Sequence, residues 1–121
     1  MSIKTIYNLN MMINDQLIDI FKVLQDPIRL RIIEILRFEQ ERREYLPDTL
    51  NAKDGFCPMD ILALLHAENH GISNTKLSYH LKELKGNQII YLVKEGKRHF
   101  YLLNKNSLET IHSWILSIIK E

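Results

Sequence analysis

The sequence predicts a mainly α-helical fold carrying one small β-hairpin. Three observations carry that expectation. Apolar residues recur at helical spacing through most of the 121-residue chain. The segment after Ser73 sets leucines on one helical side and polar residues and lysines (Lys76, Lys82, Lys85) on the rest. Two strand-like runs follow, Ile89 to Val93 and Phe100 to Leu103, around the basic turn Lys94-Glu95-Gly96-Lys97-Arg98. A short polar-faced helix followed by a basic hairpin describes a winged helix-turn-helix. Such a helix fits the DNA major groove, and such a hairpin reaches the neighbouring phosphates.

The elements follow in order. Apolar residues at 3, 6, 9, 13, 17, 20, 21 and 24 predict one long or two short N-terminal helices, strongest from Asp15 to Leu24. Asp26-Pro27 is a helix start: the carboxylate caps open amides, and proline is tolerated where its missing N–H is not needed. Ile28, Ile32, Ile35 and Leu36 then form a stripe that Leu30 and Ile33 widen, so this helix is expected to be central. The run Glu39 to Glu44 reads as a solvated helix end, and Leu46 to Phe56, with Pro47, Asn51 and Gly55, as a loop. Pro58-Met59-Asp60 opens the next helix, and His66 to Gly71 forms a turn. Ser73 caps the following helix, whose inner face is Leu77, Leu81 and Leu84. After the hairpin, Ser107 is expected to cap a last helix carrying Leu108, Ile111, Ile115, Ile118 and Ile119.

Length and composition suit one domain over residues 1–121, with 58–103 forming the helix-turn-helix and hairpin. Apolar residues make up 45%, enough to fill a modest core. No stretch is apolar for long enough to span a bilayer, and the N-terminus lacks the pattern of a signal peptide. The single cysteine, Cys57, precludes an intramolecular disulfide and suits a cytoplasmic location. The segments 1–25 and 105–121 are strongly apolar for so small a chain. They are expected to pair two copies in a homodimer, the alternative being that they close the core of one.

Net charge is +1, but it is unevenly placed. Between Ser73 and His99 six basic residues face two acids, so that segment is +4 and the remainder −3. Charge gathered on one unit is the footprint of a phosphate-binding face, although a solvated lysine-rich surface has the same composition. The candidate DNA contacts are Ser73, Thr75, Lys76, Ser78, Tyr79, His80 and Lys82 on the helix, and Lys94, Lys97 and Arg98 on the hairpin. Lysines and Arg98 suit phosphates, whereas Thr75, Ser78 and Tyr79 can touch base edges. The bland reading of Tyr79 is packing against the hairpin. His80 lies near the apolar face and equally suits a half-buried, orienting role.

Asp26 to Leu36 (DPIRLRIIEIL) resembles the opening motif, D-P-x-R-L-R-I-L-x-L-L, of the arsenic-repressor (ArsR/SmtB-type) family of transcriptional regulators. Ser73 to Lys85 resembles that family's recognition helix, S-x-x-T-V-S-x-H-L-K-x-L, at Ser73, Ser78, His80, Leu81, Lys82 and Leu84. Ile89-Ile90 and the Glu95-Gly96 turn look like its wing. The resemblance covers about 75 residues in three blocks, in the family's order. It implies a homodimeric repressor that binds double-stranded DNA at an imperfect palindrome and releases it when an inducer, often a metal ion, is bound. It also implies that Ser78, Tyr79, His80 and wing residues touch DNA.

Two departures bear on the inducer. Where many members carry Cys-x-Cys, this chain has Cys57-Pro58-Met59, and a neutral thioether is a weak partner for thiophilic metals. Glu109 and His112 lie where other members build zinc sites in the last helix, without a second acid–histidine pair. The chain also runs longer than the family pattern near Gln40 to Gly55 and near His66 to His70. Cys57 with His66, Glu68 and His70 offers zinc-like ligand types but no derivable geometry, so no cofactor is expected. No phosphate-binding glycine loop, nucleophile elbow or zinc-protease helix motif occurs, so the chain is not expected to be an enzyme. A winged helix that docks a protein partner instead of DNA is the alternative function.

Overall fold

The computed structural model describes residues 14–39 and 55–120. Helix α1 spans Asp15–Val23, α2 Pro27–Phe38, α3 Pro58–Ala67, α4 Asn74–Gly86 and α5 Lys105–Ile119. Strands β1 (Ile90–Glu95) and β2 (Arg98–Leu103) form an antiparallel hairpin between α4 and α5. This is the expected mainly α fold with one hairpin. The apolar periodicity before Asn14 and the expected charged run and loop from Gln40 to Asp54 lie outside the described residues.

Polar caps start four of the five helices. Asn14 Oδ1 accepts from the Leu17 amide at 2.8 Å, and the buried face of α1 is Leu17, Ile20 and Val23. Asp26 Oδ1 accepts from the amides of Ile28 (2.8 Å) and Arg29 (3.3 Å), with Pro27 just inside α2. Ser73 Oγ accepts from the Lys76 amide at 3.1 Å to begin α4. Caps of this kind satisfy amides that the helix itself leaves open. At α5 the cap is Asn104, which accepts from the Asn106 amide, and not Ser107 as the sequence suggested. Ser107 lies inside the helix, buried, and donates to the Gln88 carbonyl at 2.6 Å. Its hydroxyl therefore ties α5 to the turn after α4.

Helix α2 is central, with Ile32, Ile35 and Leu36 buried at helical spacing. Its apolar stripe is narrower than expected, because Leu30 is exposed. α2 ends at Phe38, and Glu39 closes it through a backbone bond to the Ile35 carbonyl. Arg31 leaves the other side of α2 and draws two carboxylates together. It donates to Glu39 at 2.8 Å and grips Glu68, past the end of α3, through both Nε and Nη2. Those bonds, Glu68's above all, hold the guanidinium even more firmly charged than usual. α3 runs on to Ala67, so His66 is helical, and the expected turn is confined to the residues after it, where Asn69 takes a left-handed φ of 62°.

The core lies between α2, α3, α4 and the base of the hairpin, where Ile32, Ile35, Ile61, Leu65, Leu84 and Ile89 are sealed from solvent. Phe56 belongs to it as well, which corrects the loop expected over 46–56. Its ring is fully buried, and its backbone forms a two-way bridge with Tyr101 at 3.0 and 2.8 Å. The hairpin register pairs Ile90 with Leu103 at the base and Glu95 with Arg98 at the tip. The turn is Gly96-Lys97, one residue later than expected, and Gly96 has the positive φ (61°) that glycine adopts without strain.

Candidate nucleic-acid interface

Burial divides α4 cleanly. Leu77, His80, Leu81 and Leu84 are buried, while Thr75, Lys76, Ser78, Tyr79, Lys82 and Lys85 are exposed. Ser73 is exposed too, but its hydroxyl is engaged as the helix cap. The outward face thus combines short hydroxyls, three lysines and one aromatic ring, a mixture suited to phosphates and base edges together. β1 follows α4 after a turn at Asn87 to Ile89, so the hairpin is held against the same end of the molecule.

At the hairpin tip Lys94, Lys97, Arg98 and His99 are exposed. Residues directly opposite in a hairpin share a face. Lys94 is opposite His99, and Glu95 is opposite Arg98. One face therefore pairs two basic side chains, and the other sets Arg98 against a carboxylate.

His80 is the site residue that the structure reassigns. It is only 5% exposed, and its Nδ1 accepts a hydrogen bond from Arg29 Nε at 3.0 Å. A ring turned into the core and occupied by an arginine is not presented to DNA. Burial lowers its pKa below the ordinary 6.5; Arg29 and Lys76 add to this, and Asp26 opposes it. A neutral ring carrying its proton on Nε2 is what the Arg29 bond requires.

That assignment has a consequence for stability. With a native pKa below the unfolded value, the unfolded chain takes up a proton first on acidification. The stability is present above about 6.5 and is lost as pH falls through the lowered native value. His80→Gln removes this titration. Urea midpoints measured between pH 7.5 and 5 should fall more for the wild type than for the variant; equal falls would refute a buried neutral histidine.

Tyr79 is 54% exposed, and Arg29 and His80 lie against its ring. Arg29 is the residue that sequence reasoning missed as part of this region. It stands in the quoted DPIRLR block, but no local spacing connects it to a histidine 51 residues later.

The metal-ligand candidates do not converge. Cys57 is buried beside Phe100, whereas Met59 is exposed, so the pair does not form a chelate. His66 is bonded through Nε2 to the Ile72 carbonyl, and Glu68 is engaged by Arg31. Among the described residues no three His, Cys, Asp or Glu side chains form a metal-binding group. The described residues thus do not fit the thiolate metal capture implied by the family pattern. Nor is any described helix long and apolar enough to cross a membrane.

The chain is 31% identical over 97 residues to the arsenical resistance operon repressor of Staphylococcus xylosus, a match spanning 80% of this chain and 74% of that protein. The chain belongs to the ArsR family of transcriptional regulators. The transcriptional repressor SdpR of Bacillus subtilis (strain 168) is 28% identical over 103 residues, 85% of this chain and 92% of that protein. No protein-family model matches the chain. The fold is shared with solved members. The crystal structure of an ArsR family transcriptional regulator superposes with a TM-score of 0.60 at 16% identity, covering 88% of this chain and 89% of that one. A solution structure of a homodimeric winged helix-turn-helix DNA-binding domain from Mycobacterium bovis gives 0.55 at 18% identity, covering 98% and 86%. In this ArsR-family chain the β1–β2 hairpin follows α4 as the wing follows the helix-turn-helix in that fold. The curated relatives are named as repressors, not as enzymes.

Proposed function

We propose that this chain is a homodimeric repressor that binds a palindromic operator with α4 in the major groove and the wing on flanking phosphates. The outward face of α4 carries this reading. Thr75, Lys76, Ser78, Tyr79 and Lys82 are all exposed, and the basic hairpin tip follows them. The relatives named as repressors support it.

Dimerisation is supported by unburied apolar surface on α1 and α5. Phe21 and Trp114 meet edge to face at 5.5 Å and link the two helices. Beside them Ile18, Ile115 and Leu116 are exposed, and Ile118 and Ile119 are 62% and 70% exposed. Apolar side chains gathered on adjoining helices mark an interaction surface. A second copy with two-fold symmetry would set its recognition helix about 34 Å from the first, one turn of DNA away.

Purified protein should shift random duplex DNA at low salt, sediment as a dimer, and select a sequence with two-fold symmetry from a random pool. Failure to bind duplex at low salt would refute DNA binding and favour a protein-docking winged helix. Selection of a single unrepeated half-site would refute the dimeric arrangement.

A further inference from the structure

Tyr79 is the one large ring on the outward face of α4, and its placement is governed from another helix. The Arg29 guanidinium, on α2, lies over the Tyr79 ring at 5.4 Å from its centroid. The same group donates through Nε to His80 Nδ1 at 3.0 Å and through Nη1 to the Val23 carbonyl at 3.4 Å. Asp26 fixes the Arg29 backbone by capping its amide, so the arginine issues from a secured helix start. On the α4 side, the buried His80 ring stands 5.6 Å from Tyr79, tilted by 59°. A planar fork anchored at two points is thus held against one exposed phenol.

We propose that Arg29 is a positioning residue for DNA reading: it acts through Tyr79, and by fixing that ring it sets which bases α4 prefers. This rests on the reading that α4 enters the major groove. A phenol discriminates between bases only when its hydroxyl meets a base edge at hydrogen-bond distance and angle. An exposed tyrosine turning about its side-chain bonds would meet several edges and favour none. Arg29 restricts that freedom because its guanidinium lies over the ring, 5.4 Å from the centroid, while its Nε donates to His80. Lysine is a point charge without the planar fork that here reaches His80, the Val23 carbonyl and the ring together.

The test compares duplexes selected from a random pool by the wild type, Arg29→Lys, Tyr79→Ala and the double variant. Arg29→Lys is expected to lose roughly tenfold discrimination at the base positions where Tyr79→Ala loses it, while random duplex is still bound at low salt. In the double variant Arg29→Lys should add nothing to the Tyr79→Ala profile. If Arg29→Lys does not fold, Arg29→Gln is read in the same way. An unchanged Arg29→Lys profile, a loss spread evenly over all positions, or a further loss in the double variant would each overturn the proposal. If Tyr79→Ala itself leaves the profile unchanged, Tyr79 does not read bases and the proposal falls with that role. A clear Tyr79→Ala effect beside a silent Arg29→Lys overturns the role of Arg29 alone.

Discussion

Binding of duplex DNA is expected to weaken by roughly 10³- to 10⁵-fold between about 50 and 200 mM salt. The expectation follows from the cations that the proposed interface presents. Each copy carries Lys76 and Lys82 on α4 and Lys94, Lys97 and Arg98 at the wing tip, all exposed. Two copies would neutralise about six to ten phosphates, and each contact releases condensed counterions whose return at high salt opposes binding. Replacing Lys82 and Arg98 together by Ala removes up to four contacts from a dimer. The slope of log affinity against log salt should then become shallower by about 3 to 4. The loss should be uniform across sequences, because phosphates are alike at every base step. Titrations of one selected and one random duplex, at several salt concentrations, check both statements. An unaltered slope in the double variant would show that these side chains point away from the DNA. A loss confined to the selected duplex would instead assign them to base reading. Arg98 is the more exposed of the two to failure, since Glu95 sits opposite it in the hairpin.

Much of the helix and hairpin that form the candidate interface is legible in the sequence because its signals are local. Ser73, the leucines three and four residues apart, and the two runs around Gly96 each act within one helical turn or one hairpin. Asp26-Pro27 is equally local, and its cap forms as the residue types dictate. The errors fall where a distant contact decides. Ser107 is a good capping residue by type, yet the Gln88 carbonyl claims its hydroxyl and Asn104 caps instead. His80 looks polar and available until Arg29 approaches from α2. Leu30 has the spacing of a core residue, yet it stands exposed among the described residues. The same limit applies to Cys57 and Met59, two positions apart in sequence and opposite in exposure.

The burial of Cys57 also bears on metal capture. A thiol packed beside Phe100 and Leu102 belongs to the support of the wing rather than to an open chelate. A ligand bound at the α1–α5 surface on which the proposed dimer depends would act on α4 through its packed neighbours. Arg29, with bonds to Val23 at the end of α1 and to His80 on α4, is a direct physical connection between those elements.

Phe56→Ala is expected to destabilise the fold by about 3 to 5 kcal/mol, a large share of the total stability of a small domain. The ring is fully buried and packs into the main core. Truncation leaves a cavity that its neighbours cannot readily close, because the backbone at Phe56 is pinned to Tyr101 by two hydrogen bonds. Nor can the chain before it shift easily. A side chain at Gly55 would meet Phe100 Cβ at 3.1 Å and Leu102 Cδ1 at 3.0 Å, so this segment is already seated tightly on β2. The consequence extends to the proposed interface, since β2 carries Arg98 and the return of the wing. Urea denaturation monitored by circular dichroism measures the loss, and Phe38→Ala provides the comparison of like residue type. Phe38 is exposed at the end of α2, and its truncation should change stability by no more than about 0.5 kcal/mol. Similar midpoints for the two variants would mean that Phe56 is not in the core. The segment would then be the surface loop that its glycine and proline content suggests, and the wing would stand without the support of a third backbone segment.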